Sequence, residues 1–519
     1  MQIQQKSNKI QMKKIFILTL FLLNSHLLIS QEKNIIPKKQ TQLGFGSIDY
    51  LSVKMPLDED GNPEVNMGVT GIHYNFWLNK NIYTGVGFYG SIHGKRGGMF
   101  TLGINAGFKS MLSEKLFIDT GFHIGGGGGA STPDGGGAFL LPHVNLGVQF
   151  DNFSTTLGYS YINFFDKGNI NNKQIRLGIQ IPLSFDYSSF KNKEKTYSYK
   201  QLKKTDWNQT SKRTSLMIHQ NNLSPYGDSK FTGLGGSLKG KTIRLAGFEL
   251  NSYLTNNWFT FLKLDGAFHG IRGGYMDIFL GGGYHFSMNK NRTNILAKFG
   301  LGAGGGGGAD TGGGFLVYPD ISIEQQLFNN VYLSINKGYL SSVNQNFTSS
   351  TIGVGLKYYV HQQGIKQNDA NYFSKGTFKG VEIIIGQEMY LNAKRTTEPT
   401  ENLHQIALQL NVFLSKNFYL AGHTSFANFG NAGAYAEGIV GAGYQTTSFL
   451  SNKISLYTQV LAGAAGGGQI STGEGLIVKP SLGVNLKLNN KLNIRTSLGK
   501  VRSKGGALNS TSITFGLNY

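Results

Sequence analysis

Gln174-Ile-Arg-Leu-Gly-Ile-Gln-Ile-Pro-Leu-Ser-Phe185 carries an apolar side chain at every odd position: Ile175, Leu177, Ile179, Ile181, Leu183 and Phe185. Successive residues of a strand point to opposite faces, so this segment is an extended strand with one apolar side. Phe100-Thr-Leu-Gly-Ile-Asn-Ala-Gly-Phe-Lys109 repeats the pattern with its even positions apolar. A soluble sandwich also alternates. The segments here run for roughly 10 to 14 residues, which suits a tilted membrane strand better than an ordinary soluble one of about 5 or 6.

The connections give the second signal. Short turns recur at Asn79-Lys-Asn81, Thr255-Asn-Asn257 and Ser415-Lys-Asn417, and again at Asp151-Asn152, Asn329-Asn330 and Asn489-Asn490. Every other connection is longer, as at Met55 to Asn66 and Lys167 to Lys173. Short turns on one side and long loops on the other mark a transmembrane antiparallel β-barrel with periplasmic turns.

A glycine-rich stretch occurs three times between such flanks: Gly125 to Gly129 leading to Phe139-Leu-Leu-Pro142, Gly304 to Gly308 leading to Phe315-Leu-Val-Tyr-Pro319, and Gly466 to Gly468 leading to Leu476-Ile-Val-Lys-Pro480. A fixed period of this size means a repeated structural unit. The pattern predicts three all-β repeats of about eight strands over residues 42–186, 211–360 and 377–519. Polar linkers at 187–210 and 361–376 separate them in the periplasm. The glycine runs are expected in the third of four extracellular loops. Each following proline, which cannot donate to a ladder, is expected to mark a bulge or kink. Three tandem small barrels are favoured over one barrel of about 24 strands. Gly103, Asn105, Gly107, Gly121, Gly147, Gly158 and Gly178 give a small, neutral inward lining, with Trp77, Tyr83, Tyr89, Phe117 and Phe139 to fill it.

Lys13-Lys14 before the apolar run Ile15 to Leu23 reads as a signal peptide over residues 1–31. The mature N-terminus is expected in the periplasm and the barrels in the outer membrane. With no cysteine, disulfides and thiolate chemistry are excluded. The 49 Lys and Arg residues against 28 Asp and Glu give a net charge of +21. These charges lie mainly in the signal region, linkers and loops, so lipid headgroups or lipopolysaccharide are expected as partners and nucleic acid is not.

Ile513-Thr-Phe-Gly-Leu-Asn-Tyr519 sets Ile513, Phe515, Leu517 and Tyr519 on one face. This resembles the C-terminal insertion signal of bacterial outer-membrane barrels, which implies recognition by the barrel-assembly machinery. Similar patterns close the first two repeats.

Few residues suggest chemistry. No glycine run continues into the Lys-Ser/Thr of a phosphate-binding loop, and no paired-histidine metal motif occurs, so no cofactor or metal is expected. His93-Gly-Lys-Arg96 and His269-Gly-Ile-Arg272 are the same loop in two repeats; a phosphate or carboxylate would suit them, but a solvated turn inherited by duplication is the favoured reading. His423-Thr-Ser425 with Glu437 is similar to the site of outer-membrane lipid A deacylases. That resemblance implies Ser425 as nucleophile, His423 as base and Glu437 as orienting acid. Phe426 replaces the family's Asn, and the alternation turns all three residues inward. The favoured reading is a non-enzymatic outer-membrane protein with a structural or surface-binding role through its glycine-rich loops. A large-pore channel and a lipid A hydrolase are the alternatives.

Overall fold

An alternating strand in lipid must pair on both edges, because no water is there to satisfy free amides. Pairing the first strand of a set with its last removes both edges. In a computed structural model of the chain, which describes residues 36–57, 61–232, 236–343, 346–362, 364, 375–489 and 492–518, this happens three times. The expected signal peptide 1–31, Tyr519, and residues 363 and 365–374 of the second linker lie outside the described residues.

The first barrel contains β1 (Gln40–Val53), β2 (Met67–Trp77), β3 (Ile82–His93), β4 (Phe100–Met111), β5 (Leu116–Gly128), β6 (Phe139–Gln149), β7 (Ser154–Phe164) and β8 (Asn171–Tyr187). The linker after it holds a 3-10 turn (Phe190–Asn192), β9 (Thr196–Ser198) and a short α-helix, α1 (Tyr199–Leu202). The second barrel contains β10 (Lys212–Tyr226), β11 (Ile243–Tyr253), β12 (Trp258–His269), β13 (Met276–Met288), β14 (Thr293–Gly305), β15 (Phe315–Phe328), β16 (Val331–Ser342) and β17 (Thr348–Gln362). After β18 (Lys375–Thr377) comes the third: β19 (Val381–Ala393), β20 (Glu401–Phe413), β21 (Phe418–Phe429), β22 (Ala436–Gln445), β23 (Ile454–Gly466), β24 (Leu476–Lys487), β25 (Asn493–Ser503) and β26 (Asn509–Asn518). Closure pairs β1 with β8, β10 with β17 and β19 with β26, all antiparallel. The single wide barrel is thereby set aside.

The odd residues of the opening stretch, Ile175 to Phe185, are exposed, as a lipid-facing row should be. Inward glycines make sockets for rings: a Cβ on Gly147 would lie 2.1 Å from the Phe117 ring, and one on Gly107 would lie 2.3 Å from Tyr83. The prolines behave differently from expectation. Pairing to the next strand skips Leu141 and Pro142, Tyr318 and Pro319, and Lys479 and Pro480, yet resumes in unchanged register. The missing N–H costs a ladder pair without inserting a residue. The recurrent bulges sit instead between second and third strands, at Gly68/Val69, Arg244/Leu245 and His404/Gln405.

The three barrels are not beads on a string. β3 touches β14, β12 touches β23, and β21 touches β5, so each barrel offers its third strand to the fifth strand of a neighbour. This head-to-tail contact closes after three steps, as a cyclic trimer would. Phe100, Leu102, Ile278, Ala303, Ile406 and Phe426, drawn from all three barrels, form one buried apolar cluster at the centre. The glycine runs meet the neighbouring barrel there. Gly97 N–H donates to Gly312 O at 2.8 Å and Gly273 N–H to Gly473 O at 3.1 Å. Between barrels three and one, Gly430 N–H donates to Asp166 Oδ2 at 2.8 Å. The runs, expected within loops, also begin inside strands: Gly125 to Gly128 end β5.

On the short-turn side, the linkers fold together. β9 pairs with β18, and Tyr197, Leu202 and Trp207 form a small core with Phe378. Trp207 Nε1 donates to Pro37 O at 2.7 Å. Phe190 stacks edge-on against Phe413 at the mouth of the third barrel, with Lys193 Nζ 3.6 Å from the Phe413 ring centre.

Candidate functional site

Inward positions were expected to be mainly small or neutral, and most of the buried polar side chains are Ser, Thr, Asn or Gln. The expectation left out the charges among them. Each barrel encloses a buried charge network, because strand alternation turns a few Lys, Arg, Asp, Glu and His residues inward, where a charge persists only if paired. In barrel one, Arg176 and His73 both reach Asp49, with Arg176 Nε 3.0 Å and His73 Nε2 3.2 Å from its carboxylate. In barrel two, Lys298 Nζ lies 2.7 Å from Glu249 and 3.1 Å from Asp320, Lys357 Nζ lies 2.6 Å from Glu324, and His219 Nε2 lies 2.6 Å from Asp265.

Barrel three holds the residues that resemble the deacylase site. Register sets Ser425 opposite Glu437, and His423 lies two residues before Ser425 on the same inward face. His423 Nε2 is 3.1 Å from Glu437 Oε1 and 3.2 Å from Glu388 Oε2. Ser425 Oγ donates to Gln405 Oε1 at 2.7 Å. A serine nucleophile needs its proton aimed at the base. Here the histidine and glutamate come together and the serine is bonded elsewhere.

Glu388, His423 and Glu437 have ligand atoms within 4.8 Å of one another, a donor set that could hold a divalent cation. Lys479 Nζ sits among them, 2.8 Å from Glu388 and 3.1 Å from His423, with Tyr390 Oη at 3.1 Å. Its ammonium stands where a metal would. Glu388 and Lys479 were missed in the sequence. The available signal was a charged residue in phase with inward positions on an alternating strand.

The loop residues are largely engaged. Arg96 pairs with Glu64, Nε to Oε1 at 2.7 Å, and donates through Nη1 to the Ser131 carbonyl at 2.6 Å. His269 pairs across the junction with Glu474 of barrel three. His93 backs onto the glycine loop of barrel two, where a Cβ on Gly313 would lie 2.6 Å from its Cα. Arg272 is exposed and makes no ion pair with a described residue.

At the loop ends the barrels are filled by apolar side chains, such as Leu51, Met67, Met99, Phe139, Leu141 and Phe164 in barrel one. A cavity of about 20 Å³ beside Glu388, Lys479 and Arg495 has room for roughly one water. Closed barrels with apolar outsides place the chain in the outer membrane. No helix among the described residues is long and apolar enough to cross a membrane.

No protein-family model and no curated protein matches the chain. Similar solved structures are outer-membrane barrels. OpdQ of Pseudomonas aeruginosa is 9% identical over 93% of this chain and 99% of that one, with a TM-score of 0.23. OccK2 (OpdF) of the same organism, solved with glucuronate, is 9% identical over 92% and 97%, with a TM-score of 0.23. Ail, the attachment invasion locus protein of Yersinia pestis, is 13% identical over 29% of this chain and all of its own length, with a TM-score of 0.21. Scores this low carry no argument about function, and the architecture rests on the strand pairing itself.

Proposed function

We propose that this protein is a structural component of the outer membrane, a single rigid body of three plugged barrels without catalytic chemistry. The observation that carries this reading is the filled interior: charge networks at mid-barrel and apolar side chains at the loop ends. The glycine runs, first read as surface-binding loops, support the structural half of that expectation, since they pack against neighbouring barrels. Refolded full-length chain in planar bilayers tests it. The expected trace shows no steady conductance, and long-lived open steps would sink the reading.

A channel is the second reading. The ionisable column inside each barrel would be wetted if a plug opened. Conductance that appears only after the apolar plug residues Phe139 and Phe164 are truncated would favour it.

A further inference from the structure

The seventh strands of the three barrels can be superposed by register. The residue after each proline pairs with Ser160 in barrel one, Gly338 in barrel two and Gly499 in barrel three. One residue further on, facing lipid, stand Tyr161, Tyr339 and Lys500; two residues beyond those stand Asn163, Ser341 and Arg502. Tyrosine at this height is the aromatic girdle of a membrane barrel, where ring and hydroxyl straddle the boundary between acyl chains and headgroups. Barrel three alone carries cations at both places, Lys500 where the others have tyrosine and Arg502 where they have Asn or Ser.

Lys500 and Arg502 are exposed on the outer face of β25, in its last four residues before the loop. Alternate residues on a strand put their Cα atoms about 7 Å apart. Neither cation makes an ion pair with a described residue. The opposing residues on β26 are Thr511 and Asn509, a hydroxyl and an amide rather than a carboxylate. Toward the barrel's middle the same face becomes apolar, with Leu498, Ile513, Phe515 and Leu517 all exposed. The junction is built mainly from the third and fifth strands, with smaller contacts reaching β24, and Lys500 and Arg502 are exposed beyond it on β25. The face therefore remains open to lipid.

We propose that Lys500 and Arg502 bind the phosphate groups of an acylated, phosphorylated glycolipid of the outer leaflet, with its acyl chains lying along Leu498 and Ile513. The charges are complementary, a guanidinium takes phosphate with two parallel hydrogen bonds, and the apolar row below accepts hydrocarbon. The inference rests on the reading that puts the long loops, and so this end of β25, at the cell surface.

Native mass spectrometry of the full-length chain in detergent tests it. Bis-phosphorylated lipid A is expected to form a one-to-one adduct, weakened about tenfold or more by Lys500→Tyr with Arg502→Asn, the residues barrel one carries at these places. Lys500→Arg should retain binding, and phosphate-free lipid A should give no variant-sensitive adduct. Unchanged lipid A binding in the double variant overturns the proposal. So does an equal, variant-sensitive adduct with phosphatidylglycerol, which would make the pair a general headgroup anchor. Should the Tyr/Asn variant lose its heat-modifiable gel shift, Lys500→Gln with Arg502→Gln carries the same comparison. A wild-type chain without that shift would contradict the barrel reading itself, independently of lipid.

Discussion

Inside barrel one, Gly147 leaves a socket that the Phe117 ring fills, so the residue without a side chain serves a large one. At the junction, Gly98 lies against the backbone of Gly306, where an added Cβ would sit 2.3 Å from the amide nitrogen. The same residue type packs ring against backbone in one place and backbone against backbone in the other. A small barrel needs the first to fill its interior. A ring of three barrels needs the second to bring its walls into contact. The two regions should therefore fail independently.

The largest effect is expected from a third kind of interior contact, the buried charge. Lys298→Met leaves Glu249 and Asp320 without the cation between them. Removing one partner of a buried pair costs about 3–5 kcal/mol. Trp258 lies on β12, so denaturant unfolding followed by its fluorescence, with Trp77 and Trp207 changed to Phe, reports barrel two. An unchanged midpoint would mean the network is hydrated in solution.

Next comes Gly147→Val. Its Cβ would meet the Phe117 ring, and overpacking of this kind costs about 1–3 kcal/mol. Loss is expected in barrel one, read through Trp77 on β2, with the Trp258 transition in place. Joint loss would show that the barrels unfold as one unit.

The interior glycines were legible because a strand has a strict period of two, and small inward residues opposite large ones follow from it. The junction was not legible. Gly97, Gly98, Gly273 and Gly274 belong to loops, which carry no period, and their partners Gly312 and Gly473 lie in other repeats. The barrel-three cluster was half legible. His423, Ser425 and Glu437 are neighbours by sequence and register, whereas Glu388 and Lys479 arrive from strands far along the chain. Ser425 bonding to Gln405 depends on side-chain choice within the barrel, which alternation does not encode.

Gly98→Ala probes the junction directly. Gly98 has φ +97°, where a side chain is strained, and its Cβ would strike Gly306. The clash costs about 1–3 kcal/mol, and the left-handed φ adds to it. The chain has no cysteine, so spin labels at Lys115→Cys and Asn256→Cys, on turns of barrels one and two, are unambiguous. The distance distribution should broaden while both barrels stay folded. Gly274→Ala, read with labels at Asn256→Cys and Lys416→Cys on barrels two and three, should do less, because its Cβ would lie 3.1 Å from Gly467 N, and barrel three already carries Ala434 at this place with φ +72°. Equal broadening in the two variants would refute the close-approach account.

The smallest effect separates the junctions by pH. Asp134 lies in the glycine loop of barrel one, buried against barrel three: a Cβ on Gly433 would meet its Oδ1 at 2.6 Å. Burial pushes its carboxyl up to about 7, although the Gly129 N–H at 2.9 Å and Arg96 favour the anion. The folded group holds its proton more tightly than the unfolded one, whose value is 3.8. Its contribution is therefore complete below pH 3.8 and falls away as pH rises through about 7. Across the two units centred on that value the loss is about 1 kcal/mol. Labels at Lys115→Cys and Lys416→Cys, on turns of barrels one and three, should show the distance between them broadening from pH 6 to pH 8. The barrel one to barrel two pair should hold, since Gly97 and Gly312 meet through backbone alone. Asp134→Asn should abolish the difference, and a pH response that survives it would place the titrating group elsewhere.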